Sequence, residues 1–245
     1  MLIRTEAIVL RSIPFSETSL ISTLFTKEKG KMSVMAKGAR RPKSRFGSTL
    51  QPLSVVQAVI YYRPTRSLQT ISECAHTRIP LLDSLECLTA GLRMAELTYA
   101  LTQEEEELPT IFDLLASVLS RMRQPHSSAA LLQLYFEMQL ATELGFAPGF
   151  ERETVRTLPS TGGLLQYESG EIIHEGAEGP HAKRASRIAL RTFAILSRAQ
   201  LDVVADLPPP PIHEVQYLVS QYMRYHVAEA YPERGHRILK QIQDN

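Results

Sequence analysis

The spacing of apolar residues changes once along this chain, near Pro80, and that change dictates two kinds of folded segment. Before it, β-branched and apolar residues come in short runs: Thr5 to Ser12, Leu20 to Thr26, Lys31 to Lys37, Leu53 to Tyr62 and Gln69 to His76. Pro14 with Ser16, Lys29-Gly30, Pro42 with Ser44 and Gly47, and Pro64 separate them as turns. No apolar spacing of three and four persists, so these runs read as strands rather than helices. Five strands with irregular connections predict a small Greek-key barrel of the OB-fold kind. An SH3-like barrel is the alternative that strand count leaves open.

After Pro80 the period is helical. Leu81, Leu85, Leu88, Leu92, Ala95 and Tyr99 recur at spacings of three and four and predict one amphipathic helix. Glu104 to Glu107 and Pro109 interrupt it as a solvated helix end, and Thr110 with Asp113 has the form of a capping box opening a second helix. A third helix follows Ser127 and Ser128. It is apolar on more than one face (Leu131, Leu134, Tyr135 and Met138, but also Leu132, Phe136, Leu140 and Leu144), as a buried central helix is, and Gly145 ends it. Leu164 to Tyr167 and Glu171 to His174, joined through Ser169-Gly170, predict a small β-hairpin. Helices resume from Ala185 to Ala199, and Pro208 to Pro211 form a stiff spacer. A helix carrying Val215, Leu218, Val219, Tyr222 and Met223 and a short one near Arg237 to Ile242 close the chain. The predicted class is α+β multidomain: a barrel domain over 1–80 and a mainly helical domain with a β-hairpin insertion over 81–245.

Charge divides at the same place. Residues 1–80 carry 13 Lys and Arg against four Glu, net +9, while the other 165 residues carry 14 basic and 22 acidic side chains, net −8. Such asymmetry points to a polyanion-binding module joined to a body of other purpose. The charge concentrates in residues 27–47, where Lys27, Lys29, Lys31, Lys37, Arg40, Arg41, Lys43 and Arg45 face one acid, Glu28. Strand alternation turns Lys31, Ser33 and Lys37 outward and Met32, Val34 and Ala36 into the barrel. A strand and loop so charged can track a phosphate backbone. Phe15, Phe46, Tyr61 and Tyr62 are the candidate stacking platforms.

Enzyme chemistry finds no support in the residues. Gly30-Lys31 lacks the upstream Gly and following Ser or Thr of a phosphate loop, and the seven His form no i, i+4 pair. Cys74 and Cys87 lie in no C-x-x-C pair, so they read as buried reduced thiols, with no metal and no cofactor. No apolar run approaches the roughly 20 residues of a membrane span, and MLIRTEAIVLRS is no signal peptide, so the expected place is the cytoplasm, associated with the nucleoid.

Residues 6–52 resemble the bacterial recombination mediator family RecO, most specifically at Ser16-Glu17-Thr18-Ser19, Phe25-Thr26, Gly30-Lys31, Ala36-Lys37-Gly38-Ala39-Arg40 and Leu50-Gln51-Pro52. Fainter likeness returns at Glu143-Leu144-Gly145-Phe146 and Arg224-Tyr225-His226. The resemblance implies an OB-fold and a helical C-terminal domain without enzymatic activity. It implies binding of single- and double-stranded DNA and annealing of complementary strands. With RecR, such a protein replaces single-strand-binding protein by the recombinase RecA. Many members carry a four-cysteine zinc site in the second half; here the segment from Glu143 to Gly176 has no cysteine, so packing of Leu164, Leu165, Tyr167 and Ile172 must hold the hairpin. The acidic tail of single-strand-binding protein requires a cation-rimmed apolar pocket. Two clusters stand as candidates: Arg121 with Arg123, and Lys183 with Arg184, Arg187 and Arg191, of which the last three share a helical face by spacing. A protein adaptor and an RNA-binding OB protein are the competing readings.

Overall fold

The computed structural model describes residues 1–46, 48–78, 84–125 and 127–232, apart from the side chain of Arg78. Five strands, β1 (Leu2–Phe15), β2 (Ser19–Thr26), β3 (Gly30–Ala36), β4 (Val55–Tyr61) and β5 (Leu68–Arg78), close a barrel in the order β1-β2-β3-β5-β4. All pairs are antiparallel except β3 with β5. That single parallel pairing closes the five-stranded OB-like barrel. β1 serves two neighbours: Leu2 to Ile8 pair with β4 and Ala7 to Phe15 with β2, with a register shift between Val9 and Arg11. Such a bulge bends the strand so that it can leave one partner for the next.

The barrel interior follows the alternation expected from sequence. Ala7, Val9, Leu24, Met32, Val34, Ala36, Val56, Ala58, Ile60 and Ile71 point inward. The long connection after β3 adds Ala39, Phe46 and Leu50 to the same core.

Packing groups the described residues into two compact units, one formed by those up to residue 123 with Pro232 and the other by those from 124 to 231. In the first, α1 (Leu85–Leu101) and α2 (Pro109–Arg121) belong with the barrel. Phe112 of α2 meets Phe25 of β2, ring centroids 6.1 Å apart. The α1 face that packs differs from the one its apolar spacing predicts: Ala90, Gly91, Arg93, Met94, Ala95, Leu97 and Thr98 are buried, while Leu85, Leu88 and Tyr99 are exposed. Leu81 lies outside the described residues. Arg93 tolerates burial because its guanidinium pairs with Glu96 at 3.1 Å and donates to the Pro232 carbonyl at 2.8 Å. Thr110 is not the N-cap of α2: the helix starts on Pro109, a residue preorganised for a first helical position, after Leu108, which offers no side-chain cap. Asp113 pairs with Lys27 instead.

In the second unit, α3 (Ala129–Glu143) is the central helix, capped by the Ser128 hydroxyl, which accepts from the Leu131 amide at 3.3 Å. Its buried residues fall on all sides, and α5 (Arg187–Arg198), α6 (Leu201–Ala205) and α7 (Ile212–Val227) pack around it. Gly145, at φ 90°, ends it in the left-handed conformation expected. The short α4 (Arg152–Arg156) follows. The hairpin is present as β6 (Gly163–Gln166) and β7 (Ile172–Ile173), and β8 (Ala182–Ala185) extends it to three strands. Leu164, Leu165, Tyr167 and Ile172 are all buried, supplying the packing that the cysteine-free segment requires. The helix expected at Arg237 to Ile242 lies outside the described residues. Among the described residues no helix is long and apolar enough to cross a membrane.

One lysine ties the first unit together. Lys31 is only 7% exposed. Its Nζ donates to the Tyr99 and Thr102 carbonyls at 2.6 and 2.5 Å, at the end of α1, and sits 4.8 Å from the centre of the Tyr99 ring. The last carbonyls of a helix lack intrahelical partners and carry its negative dipole end, so a cation there satisfies both. Lys31→Met keeps the apolar stem and removes those bonds; it should lower unfolding free energy by about 2 kcal/mol, read as a shifted denaturant midpoint at constant slope. Lys37→Met, on the exposed end of the same run, should change it by less than about 0.5 kcal/mol.

Candidate nucleic-acid interface

The eight cations of residues 27–45 divide into two sets. Lys27, at the β2–β3 turn, pairs with Asp113 at 2.7 Å and Lys29 with Glu107 at 2.5 Å. Those hydrogen bonds raise both lysine pKa values above the ordinary range. Lys31 faces outward from the barrel as alternation requires, but α1 covers it, and burial pulls its pKa down. The expectation that Lys31 lines an open polyanion path is therefore corrected: its charge is spent on the end of a helix.

The acidic run at 104–107, expected as a solvated helix end, is what meets two of these lysines, Lys29 and Lys31. Glu104 bridges to Lys31 in parallel, the Glu105 amide donates to the Lys31 carbonyl at 2.9 Å, and Tyr62 Oη donates to Glu105 Oε2 at 3.1 Å. Gly30 permits the approach. A Cβ there would stand 1.8 Å from the Glu106 carbonyl oxygen, and its φ of 60° suits glycine.

The second set, Lys37, Arg40, Arg41, Lys43 and Arg45, is exposed. Among the described residues none of these five side chains is paired with a carboxylate. Their loop is nevertheless held. Ala39, Phe46 and Leu50 are buried in the barrel core, and the Arg40 amide donates to the Thr18 carbonyl at 2.9 Å. Arg40 Nη1 also donates to the Ser16 carbonyl at 3.1 Å, joining the loop to the β1–β2 turn. Arg45 lies over the Phe46 ring, 5.2 Å from its centre. A loop anchored at these points and presenting five cations is an anion surface whose ordering cost on binding is reduced. Of the four candidate platforms, Phe46 and Tyr62 are buried in the core, and Phe15 and Tyr61 are exposed.

The second cationic surface differs from either predicted cluster. Arg121 ends α2 and Arg123 is exposed just beyond it. Arg184, Arg187 and Arg191 do not share a helical face, because Ser186 caps α5 and places Arg184 on β8. Lys183 pairs with Glu178 at 3.2 Å. Arg191 turns instead toward α4, donating to the Val155 and Arg156 carbonyls at 3.3 and 2.7 Å. There it joins Arg152, Arg156 and Arg198 around a cavity of about 490 Å³ floored by Phe150, Val155, Ala194 and Ile195. Arg198 lies over Phe150, 4.1 Å from the ring centre, and donates to its carbonyl at 2.7 Å. Arg152, Arg156 and Arg198 escaped the sequence reading because they come from separate elements; only Arg152 and Arg156, four apart, hint at a shared face.

Cys74 is part-buried on β5, where burial raises its thiol pKa, and Cys87 on α1 approaches the Met122 carbonyl at 3.9 Å. Among the described residues no group of three or more His, Cys, Asp or Glu could hold a metal. Elemental analysis of purified protein should find well under one zinc per chain, and a chelator should leave the melting temperature unchanged; one tightly held zinc per chain would contradict this.

Comparison with known proteins gives one consistent result. The family described as recombination protein O, N-terminal, matches residues 1–79, and recombination protein O, C-terminal, matches residues 82–235. The chain is 44% identical to the DNA repair protein RecO of Salinibacter ruber (strain DSM 13855 / M31), over 99% of this chain and 95% of that protein. It is 28% identical to the DNA repair protein RecO of Prosthecochloris aestuarii (strain DSM 271 / SK 413), covering 99% and 98%. It is 30% identical to that of Chloroherpeton thalassium (strain ATCC 35110 / GB-78), covering 99% of each.

Proposed function

As the chain belongs to the recombination protein O family, we propose that it works in DNA repair and homologous recombination as a non-enzymatic mediator. It binds single- and double-stranded DNA through Lys37, Arg40, Arg41, Lys43 and Arg45 and anneals complementary strands. With RecR, it exchanges single-strand-binding protein for RecA on the bound strand. The observation that carries the DNA reading is the exposed, core-anchored loop with five cations and no carboxylate partner among the described residues. Two strands repel through their phosphates, and one basic surface that screens both brings them together faster. Lys31 contributes little, since it is buried against the end of α1, and Lys27 and Lys29 contribute less than the loop cations, since each is paired with a surface carboxylate.

Reversing Arg40→Glu and Arg41→Glu together should weaken binding of a labelled single strand by at least tenfold. The loss should be equal across sequences, since phosphate contacts carry no base identity. The slope of log affinity against log salt should flatten by about 1.4, two contacts at about 0.7 each. Unchanged affinity would contradict the assignment.

The arginine-rimmed cavity of the second unit supports the partner reading. An acidic peptide ending in apolar residues, as the tail of single-strand-binding protein does, matches an apolar floor bordered by Arg152, Arg191 and Arg198, with Arg156 beside them paired to Glu153 at 2.8 Å. Arg152→Glu with Arg156→Glu should reduce affinity for such a labelled tail peptide at least tenfold while leaving single-strand affinity unchanged. Retained peptide affinity in that variant would place the tail elsewhere.

A further inference from the structure

Strand register defines a row of side chains across the outside of the barrel. Tyr61 pairs with Thr70, Thr70 with Met35, Met35 with Ile21 and Ile21 with Ile13. Directly paired residues lie on one face of a sheet. The neighbours Ile60, Ile71, Val34 and Ala36 are in the core, so this row faces out. Four steps between strands of about 4.8 Å make it about 19 Å long. Ile13 and Tyr61, at its two ends, are exposed. At the Ile13 end stand Arg11, Phe15 and the Arg40 loop.

The Tyr61 end opens into a cleft of about 470 Å³ lined by Met1, Leu2, Tyr61, Arg63, Arg66 and Leu68, among others. Buried Gln69 fixes its arginine turn: Nε2 donates to the Arg63 and Arg66 carbonyls at 3.0 and 2.5 Å, and Oε1 accepts from the Arg63 amide at 2.9 Å. Neither guanidinium is paired with a carboxylate among the described residues. The Met1 nitrogen donates to the Tyr62 carbonyl at 2.7 Å and holds the start of β1 beside the cleft. Tyr61 is 56% exposed, more than any other Phe or Tyr among the described residues. A free aromatic face beside fixed cations, with an apolar floor of this volume, suits one unit of a polymer that alternates flat rings and phosphates.

We propose that this cleft is a second subsite for a single nucleic-acid strand, with a base stacked on Tyr61 and the adjoining phosphates on Arg63 and Arg66. The strand then runs along the row to the loop of residues 37–45. This rests on the nucleic-acid reading above and extends it from a loop to a path across five strands. The length of that path agrees with the roughly 4–16 nucleotides that one OB-fold engages.

The test is fluorescence anisotropy of a labelled 16-residue oligothymidylate with the full-length protein and four variants. Tyr61→Ala should weaken binding about tenfold, the loss of one stacked base, whereas Tyr61→Phe should bind like the unaltered protein. Arg63→Glu with Arg66→Glu should weaken it at least as much and flatten the salt slope by about 1.4. Arg40→Glu with Arg41→Glu serves as the reference, and unchanged melting temperatures establish that each variant is folded. If only the reference variant loses affinity, the subsite is refuted and the loop stands. If only the cleft variants lose affinity, the subsite stands and the loop is refuted. If none does, both fall. Equal losses in Tyr61→Ala and Tyr61→Phe would mean that the hydroxyl, not the ring face, makes the contact, and would overturn the stacking.

Discussion

The Lys31 ammonium, set against the last carbonyls of α1, is the contact on which the arrangement of the first unit rests. It occupies a place where the chain needs a cation: two helix-end carbonyls have no other partner within the helix, and the dipole there is negative. The segment after α1 then runs beside β3. Its backbone bonds to Lys31, and its carboxylates meet Lys29 and, through Asp113 on α2, Lys27. Gly30 is the steric condition for all of this, since any side chain there would collide with Glu106. A compact unit that extends past the barrel through α2 follows from these contacts.

That use of charge also decides where polyanions can be held. A run of eight cations with one acid looks like one surface when written out. In three dimensions its first part is paired or bonded within the protein, and its second part is lifted onto a loop anchored in the core by Ala39, Phe46 and Leu50. Arg40 joins that loop to the β1–β2 turn, and a row of outward side chains, exposed at its two ends and half-buried between them, leads from there across the sheet to the arginines beside Tyr61. The second unit keeps its own cations on a separate apolar cavity. Nucleic acid on one unit and acidic peptide on the other is the division that this distribution favours.

Much of the fold was legible because it rests on local periodicity. The five strands, the inward set Met32, Val34 and Ala36, the buried α3 and the left-handed end at Gly145 all follow from alternation, helical spacing and glycine stereochemistry. The failures share one cause, which is competition between a local signal and a distant partner. The spacing predicts Asp113 as part of a helix cap, yet it is an ion-pair partner for Lys27, 86 residues away. Alternation predicts an exposed Lys31 because it gives the side of the sheet and not what covers it. The stripe of α1 was read from its leucines, yet the helix buries Arg93 and leaves Leu85 exposed, because Arg93 finds carbonyl and carboxylate partners. Arg184 belongs to a third strand whose presence no turn signal announced. The Tyr61 cleft was half visible: the ring was a candidate, but the arginines around it acquire meaning only from the Gln69 clamp.

The central claim is that the basic run is divided between holding the helices and holding nucleic acid. Amine acylation read by mass spectrometry, with and without a saturating single strand, tests it residue by residue. In the free protein Lys37 and Lys43 should react readily and Lys31 should be inert. With the strand bound, Lys37 and Lys43 should become protected while the reactivity of Lys27 and Lys29 stays unchanged. Ready modification of Lys31 in the free protein, or protection of Lys27 and Lys29 by the strand, would contradict the division.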